Sequence, residues 1–300
     1  MEKRRLDTLL AERGLFPSRT RAAASVMAGE VRVGAGARRA AKPGELVDVA
    51  EQVTVDARPA FVSRGGIKLA NALAESGLAV ADRRALDVGA STGGFTDCLL
   101  QSGASEVIAV DVGYGTLDYR LRTDPRVIVM ERTNARALTP EMLLVARRGH
   151  LADPARRGHL ADSAPATAEG EECAAADVGL PDLATVDVSF ISLAKVLGAV
   201  LGCLAPGYDV LALVKPQFEL GRGRVGKGGV VRDPAERREA LIGAGHAALA
   251  LCAAVRGYHS SGLPGPKGNR ETFIWLSDPT RGLGSVDAAD LEALARKVEP

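Results

Sequence analysis

Four charged side chains lie beside stretches of the chain that are otherwise rich in apolar residues. In chain order they are Lys68, Asp187, Lys215 and Glu271. A charge at the end of a buried strand costs free energy unless it is paired or used. In an open α/β sheet the carboxyl ends of the strands form the crevice where ligands bind. Because Asp187 and Lys215 each follow an apolar run, they predict a site at that edge, with groups that can accept a proton or stabilise a developing charge.

A glycine-rich segment after the first predicted strand belongs to the same candidate site. It reads Asp-Val-Gly-Ala-Ser-Thr-Gly-Gly-Phe-Thr from Asp87 to Thr96. Glycines let the backbone turn sharply and approach a ligand, and the following helix supplies unpaired N–H groups. The next predicted strand ends in Asp111, ~20 residues past the loop, where an adenosine ribose needs its hydroxyls bound. The glycine spacing differs from the G-x-G-x-x-G of dinucleotide enzymes, but Asp111 also fits NAD, so ribose binding alone leaves the cofactor open.

The elements that must position these residues alternate between strand-like and helix-like patterns from Lys68 onward. The candidate strands are residues 85–88, 107–110, 127–130, 183–188, 210–214, a weak one near Tyr258, and 272–276. Amphipathic stretches separate most of them. Such alternation predicts an α/β, Rossmann-like domain, with a mostly parallel sheet of seven strands and helices on both faces.

The amino-terminal residues carry a local positive charge, although the whole chain has a net charge of only +1. Residues 1–42 contain ten Lys or Arg and four Asp or Glu, a net charge of +6. Apolar spacing predicts a helix from about Leu6 and a second helix capped by Ser18 and ended by Gly29, followed by a strand at Val31–Val33. This small α+β module offers a surface for phosphates. On charge alone, an ordinary solvated helix pair is an equal alternative.

Two family resemblances rest on these residues. Residues 1–57 resemble the S4 RNA-binding domain in the pattern R-L-D…G…S-R…A…G-x-V-x-V…K-P-G, and residues 58–64 form a short linker. Residues 65–300, outside the segment 147–179, resemble the S-adenosylmethionine-dependent FtsJ/RrmJ ribose 2′-O-methyltransferases, and more narrowly their TlyA subfamily. The motifs that carry the second resemblance are Ser63–Lys68, Asp87–Phe95, Val186–Ile191, Lys215–Glu219, Val225–Pro234 and Gly268–Glu271.

The second resemblance implies an enzyme that methylates cytidine ribose in ribosomal RNA, with S-adenosylmethionine as cofactor and ribosomal subunits as partners. It implies a catalytic tetrad of Lys68, Asp187, Lys215 and Glu271, with Lys215 as general base or as the group that orients the hydroxyl. The implied cofactor contacts are Asp87, Gly89, Ala90, Ser91, Thr92, Gly93, Gly94, Phe95, Asp111 and, near the adenine, Asn134. The expected RNA contacts are Arg5, Arg19, Arg21, Lys42, Arg64, Arg222 and Lys227.

Residues 147–179 are rich in small and polar residues without a period, and we expect a disordered insertion there. A direct repeat overlaps this segment, with one copy at Ala146–Asp153 and the second at Ala155–Asp162. No other potential ligand lies at metal-binding spacing from the histidine of either copy, so no metal site is predicted.

The amino terminus lacks the apolar core of a signal peptide, and no stretch supplies the ~20 apolar residues that a bilayer span needs. We therefore expect a cytoplasmic protein without a membrane segment. Three alternatives stand beside the methyltransferase: an NAD-dependent enzyme, an RNA-binding protein whose methyltransferase fold is inactive, and a membrane-active haemolysin. Loss of a tetrad residue would favour the inactive fold, and all four are present. The haemolysin requires an amphipathic or spanning segment, which the sequence does not show.

Overall fold

The computed structural model of the protein describes residues 2–27, 29–56, 59–153, 179–221, 224–226, 228–265, 267–282 and 286–299. The chain divides into two units, Met1–Ala60 and Phe61–Pro300. The boundary between the units falls inside the segment 58–64 that the sequence marks as a linker.

The first unit is a small α+β module. Its elements are β1 (Lys3–Arg5), α1 (Leu6–Glu12), α2 (Arg19–Met27), β2 (Val31–Val33), β3 (Arg38–Arg39), β4 (Leu46–Asp48) and β5 (Val53–Val55). Strand β1 pairs with β4, and β2 pairs with β3 and β5, all antiparallel. As predicted, the Ser18 hydroxyl accepts a hydrogen bond from the Arg21 N–H, 3.2 Å away, and Gly29 follows α2 with a φ of +75°. Leu6, Leu10 and Val31 are buried in its core.

The second unit is built on a seven-stranded sheet among the described residues, which confirms the predicted architecture. The strands are β6 (Arg84–Val88), β7 (Glu106–Val110), β8 (Val127–Met130), β9 (Leu183–Val186), β10 (Asp209–Val214), β11 (Ala254–Ser260) and β12 (Thr272–Ser277). Their order is β11-β12-β10-β9-β6-β7-β8. The pairs from β10 to β8 are parallel, whereas β12 runs antiparallel to both β10 and β11.

Helices cover both faces of this sheet. They are α3 (Arg64–Ser76), α4 (Gly94–Gln101), α5 (Tyr119–Thr123), α6 (Pro140–Ala152), α7 (Leu197–Leu201), α8 (Pro216–Glu219), α9 (Pro234–Ala250) and α10 (Leu291–Val298). Alternate residues of a strand face opposite sides. Leu86 and Val88 accordingly pack into a core with α6, α7, α9 and α10, while Ala85 packs into a second core with α3, α4 and α5. Burial on both faces explains why the central strands read as continuous apolar runs.

The insertion predicted at residues 147–179 is corrected at its start, because residues 147–152 belong to helix α6. Thr139 caps the helix, accepting a hydrogen bond from the Met142 N–H. Arg147 binds the buried carboxylate of Glu106 at 2.9 Å, and His150 Nε2 lies 2.7 Å from the Pro125 carbonyl oxygen. The first copy of the repeat therefore packs against the sheet, whereas its second copy, within residues 154–178, lies outside the described residues. In the part of the chain that is described, no helix has the length and apolar character needed to cross a membrane.

Candidate active site

Sheet topology brings the four predicted tetrad residues to one edge. Strands β9 and β10 are parallel neighbours, so Asp187 and Lys215 follow them at the same end of the sheet. Because β12 is antiparallel to β10, with Thr272 opposite Val214, its first residues lie beside the end of β10, and Glu271 directly precedes them. Lys68 reaches this point from the second turn of α3.

The tetrad consists of two lysine–carboxylate pairs. Lys68 Nζ donates to Glu271 Oε2, and these side chains are 9% and 2% exposed. Lys215 Nζ lies 2.5 Å from Asp187 Oδ1, and these side chains are 10% and 25% exposed. Opposite charges at such separations offset part of the desolvation cost that each would carry alone. Asp187 is the most exposed of the four side chains.

A cavity of about 1370 Å³ opens over these pairs. All four tetrad side chains line it, together with Gly89, Ala90, Ser91, Thr92, Gly94 and Phe95 of the glycine-rich loop. Single small-molecule sites usually measure ~300–1,000 Å³. The cavity is therefore large enough for a cofactor and part of a second molecule.

Glycine is required at two positions of the loop. Gly89 has a φ of +88°, and a Cβ there would lie 2.5 Å from the Asp187 carbonyl oxygen. A Cβ at Gly94 would lie 2.2 Å from Ser63 Oγ. The loop thus packs directly against the segment that carries Asp187 and against the start of α3, so the cofactor candidate residues and the tetrad form one site.

Asp87 lies behind the loop rather than in the cavity. Its side chain is fully buried and accepts hydrogen bonds from Thr96 Oγ1 at 2.6 Å and Thr185 Oγ1 at 3.1 Å. Burial raises the pKa of Asp87 to about 7, because the charged form loses its hydration, although both hydroxyls oppose this change. Its contacts join β6, β9 and the first turn of α4, which holds the loop in place.

Several cavity residues outside the tetrad and the glycine-rich loop also carry functional groups. Phe190 is 92% exposed, has a φ of +65°, and its ring centroid lies 5.3 Å from that of Phe218. Lys215 Nζ donates to Ser189 Oγ at 2.9 Å. Cationic side chains at the cavity wall are Arg136, Lys195 and Lys267. An aromatic residue three positions after a strand-end acid was the available signal for Phe190, but only the structure reveals its exposure.

Two family models match the chain, one for each unit. The FtsJ-like methyltransferase model matches residues 61–278, and the S4 domain model matches residues 4–53. The chain belongs to the FtsJ-like methyltransferase family.

Similarity to individual proteins extends over most of the chain. A Mycobacterium tuberculosis protein named 16S/23S rRNA (cytidine-2′-O)-methyltransferase TlyA is 44% identical over 294 residues, covering 95% of this chain and 94% of its own. Hemolysin A of Brachyspira hyodysenteriae is 35% identical over 237 residues, covering 79% and 84%. A solved structure from Streptococcus thermophilus that bears a hemolysin name has a TM-score of 0.64 and 35% identity, covering 99% of this chain and 96% of that one.

As an FtsJ-like methyltransferase, the chain uses S-adenosylmethionine as its cofactor. The loop fits such a ligand, because its cavity-lining residues between Gly89 and Gly94 are small. Asp111 instead contacts backbone groups: Oδ2 accepts from the N–H of Ser91 in the loop at 2.8 Å, and Oδ1 accepts from the Gly113 N–H, after β7, at 2.6 Å. Asn134 is exposed and accepts from the Arg136 N–H at 3.0 Å. Of the predicted cofactor residues, the ones outside the cavity wall are Asp87, Gly93, Asp111 and Asn134.

The predicted RNA contacts have different surroundings. Arg64 is exposed at the cavity and donates to the Pro264 carbonyl oxygen at 2.6 Å. In the S4 unit, Arg5 and Arg19 both bind Asp7, at 2.8 and 3.2 Å. The hydrogen bond from Arg5, supported by Arg19, lowers the pKa of Asp7 to about 2.

Arg21 and Lys42 are exposed in the same unit. No side-chain partner is seen for them in the described ranges. Arg222 and Lys227 lie outside those ranges.

Proposed function

We propose that this chain transfers a methyl group to the ribose 2′-hydroxyl of cytidine in ribosomal RNA. The observation that carries the proposal is the cavity in which the partly exposed Lys215–Asp187 pair faces the glycine-rich loop. The name of the M. tuberculosis relative supports the choice of cytidine ribose as acceptor. An S4 unit at residues 4–53 supports an RNA substrate.

The chemistry explains why such a site needs lysines and carboxylates. A ribose hydroxyl is a poor nucleophile, so the enzyme must align it and accept its proton. S-adenosylmethionine supplies the electrophilic methyl group. We assign Lys215 to the hydroxyl, as the group that orients it or, as a neutral amine, takes its proton, because Lys215 belongs to the pair whose carboxylate is the more exposed. Lys68 and Glu271 then form the wall beside the ribose.

The remaining residues take roles consistent with their surroundings. We propose that Gly89, Ala90, Ser91, Thr92, Gly94 and Phe95 contact the cofactor, and that Asp87, Gly93, Asp111 and Asn134 hold the loops that do so. Residues 1–57 would bind RNA through Arg21 and Lys42, and residues 65–300 would carry the catalytic site. Since ribosomal RNA is the proposed substrate, the cytoplasm is the proposed location.

Substitution of Lys215 tests the proposed function. With the full chain and ribosomal RNA that lacks the modification, Lys215→Ala should lower methyl incorporation by ~100-fold or more. The affinity for S-adenosylmethionine, measured by titration calorimetry, should change by no more than ~3-fold. Lys297→Ala, an exposed lysine of α10, is the matched control. Turnover by Lys215→Ala close to that of the wild type would contradict the assignment.

The same preparation separates the alternatives. Binding of RNA and cofactor by the wild type without methyl transfer would identify an RNA-binding protein with an inactive fold. Because one relative is named a hemolysin, leakage from liposomes is the second measurement. Lysis by both the wild type and Lys215→Ala would favour the membrane-active alternative.

A further inference from the structure

Ser189 is a polar residue of the cavity wall that belongs to neither the tetrad nor the cofactor loop. It follows Asp187 by two positions in the segment after β9, and its side chain is exposed to the cavity. Its hydroxyl oxygen accepts a hydrogen bond from Lys215 Nζ, with a donor–acceptor distance of 2.9 Å. Ser189 thus contacts the lysine that faces the acceptor in the proposed reaction.

The two partners of Lys215 act differently on its ammonium group. Asp187 Oδ1 lies 2.5 Å from Nζ, but no hydrogen bond with suitable angles reaches this oxygen from any described residue. Charge attraction depends on distance alone, whereas a hydrogen bond weakens steeply when it is bent. Asp187 therefore keeps Nζ close to the strand ends, and Ser189 sets the rotation of the group about the Cε–Nζ bond.

The segment that carries Ser189 is held at both ends. At its start, the Asp187 N–H donates to the Val88 carbonyl oxygen at 2.8 Å. Farther along, Glu219 accepts hydrogen bonds from Ser192 Oγ at 2.7 Å and from the Leu193 N–H at 2.9 Å. Because Glu219 ends the short helix that follows Lys215, this contact fixes the Ser189 segment relative to Lys215 itself. Ser189 is therefore part of a braced segment.

We propose that Ser189 is a positioning residue that aims Lys215 Nζ at the acceptor hydroxyl. The proposal rests on the proposed function of the tetrad. Nζ is tetrahedral, so a hydrogen bond to Ser189 along one direction fixes the other two, and one of these is left to meet the acceptor in the cavity that Lys215 lines. In a neutral amine that direction holds the lone pair, which accepts the hydroxyl proton, and in an ammonium it holds an N–H that orients the hydroxyl oxygen. Both roles of Lys215 depend on the same rotational restraint.

Two substitutions at this position test the proposal in the full chain, with unmodified ribosomal RNA as substrate. Ser189→Ala removes the acceptor oxygen and should lower the single-turnover rate of methyl transfer by ~10–100-fold, because a small misplacement of a reacting group costs this much. KM for RNA and Kd for S-adenosylmethionine should stay within ~2-fold. Ser189→Thr keeps the hydroxyl and should restore the rate to within ~3-fold of the wild type.

Ser105→Ala is the matched control. Ser105 precedes β7, at the amino ends of the parallel strands and away from the cavity. Its hydroxyl donates to the Asp82 and Arg83 carbonyl oxygens, and its loss should leave the rate of methyl transfer unchanged.

The rates also separate this inference from the proposed function. Loss of transfer in Lys215→Ala with a wild-type rate in Ser189→Ala would refute the positioning role alone. Equal losses in Ser189→Ala and Ser189→Thr, or a loss confined to cofactor affinity, would do the same. A wild type that transfers no methyl group to RNA would refute both.

Discussion

The buried carboxyl group of Asp87 should make the stability of the second unit depend on pH. Burial raises its pKa from 3.8 to about 7, so the folded chain holds this proton more tightly than the unfolded chain does. The free energy of unfolding should therefore be highest below the unfolded pKa and fall as pH rises through the folded pKa. One pKa unit corresponds to about 1.4 kcal/mol, so the whole effect is about 4 kcal/mol, of which about 2–3 kcal/mol falls between about pH 5 and pH 8.

Asp87→Asn tests this directly, because the amide keeps the shape of the side chain and does not titrate. As pH rises from about 5 to about 8, the free energy of unfolding of the variant minus that of the wild type should increase by about 2–3 kcal/mol. Urea unfolding followed by tryptophan fluorescence reports on the correct unit, since the only tryptophan, Trp275, lies in β12. The contributions of the other titrating groups to the free energy of unfolding cancel when the two proteins are compared at the same pH. A difference that stays constant within about 0.5 kcal/mol across this range would refute the assignment of a raised pKa to Asp87.

Two further predictions concern RNA. Phe190→Ala should raise KM for RNA by ~10-fold or more and leave cofactor affinity unchanged, because stacking of a base on an exposed aromatic ring contributes ~1–3 kcal/mol. An unchanged KM for RNA would exclude a stacking role for Phe190. Arg21→Ala should reduce the slope of log affinity for RNA against log salt by ~1, as expected for the loss of one phosphate contact. Arg13→Ala is its comparison, because Arg13 donates to the Val49 and Glu51 carbonyl oxygens, so a similar change in slope there would argue against a specific contact by Arg21.

Local patterns predicted the strands well. Each of the seven predicted runs contains the strand that the structure shows or overlaps it, because strands buried on both faces must be apolar nearly throughout. The helix at residues 140–152 was missed over its last turns, since its polar repeat has little apolar periodicity. Its stability there comes from Arg147 and His150, whose partners lie in distant parts of the chain.

The candidate site, too, could be predicted from the sequence only in part. The four charged residues and the glycine-rich loop could be identified from their types and their places beside apolar runs. Which lysine pairs with which carboxylate could not be predicted from the sequence. Lys68 and Glu271 are 203 residues apart and meet only through the antiparallel placement of β12. The burial of Asp87 behind the loop and the contact of Ser189 with Lys215 likewise depend on which strands are neighbours.

The sequence by itself determined the order of the elements, the ends of the strands and the kinds of side chain available there. Only the tertiary structure decided which carboxylate faces which lysine, which aromatic ring is exposed, and which hydroxyl restrains the reacting amine. The physical reason is that apolar periodicity records whether a residue is buried, whereas a site depends on distances between residues far apart in the chain, and strand order sets those distances.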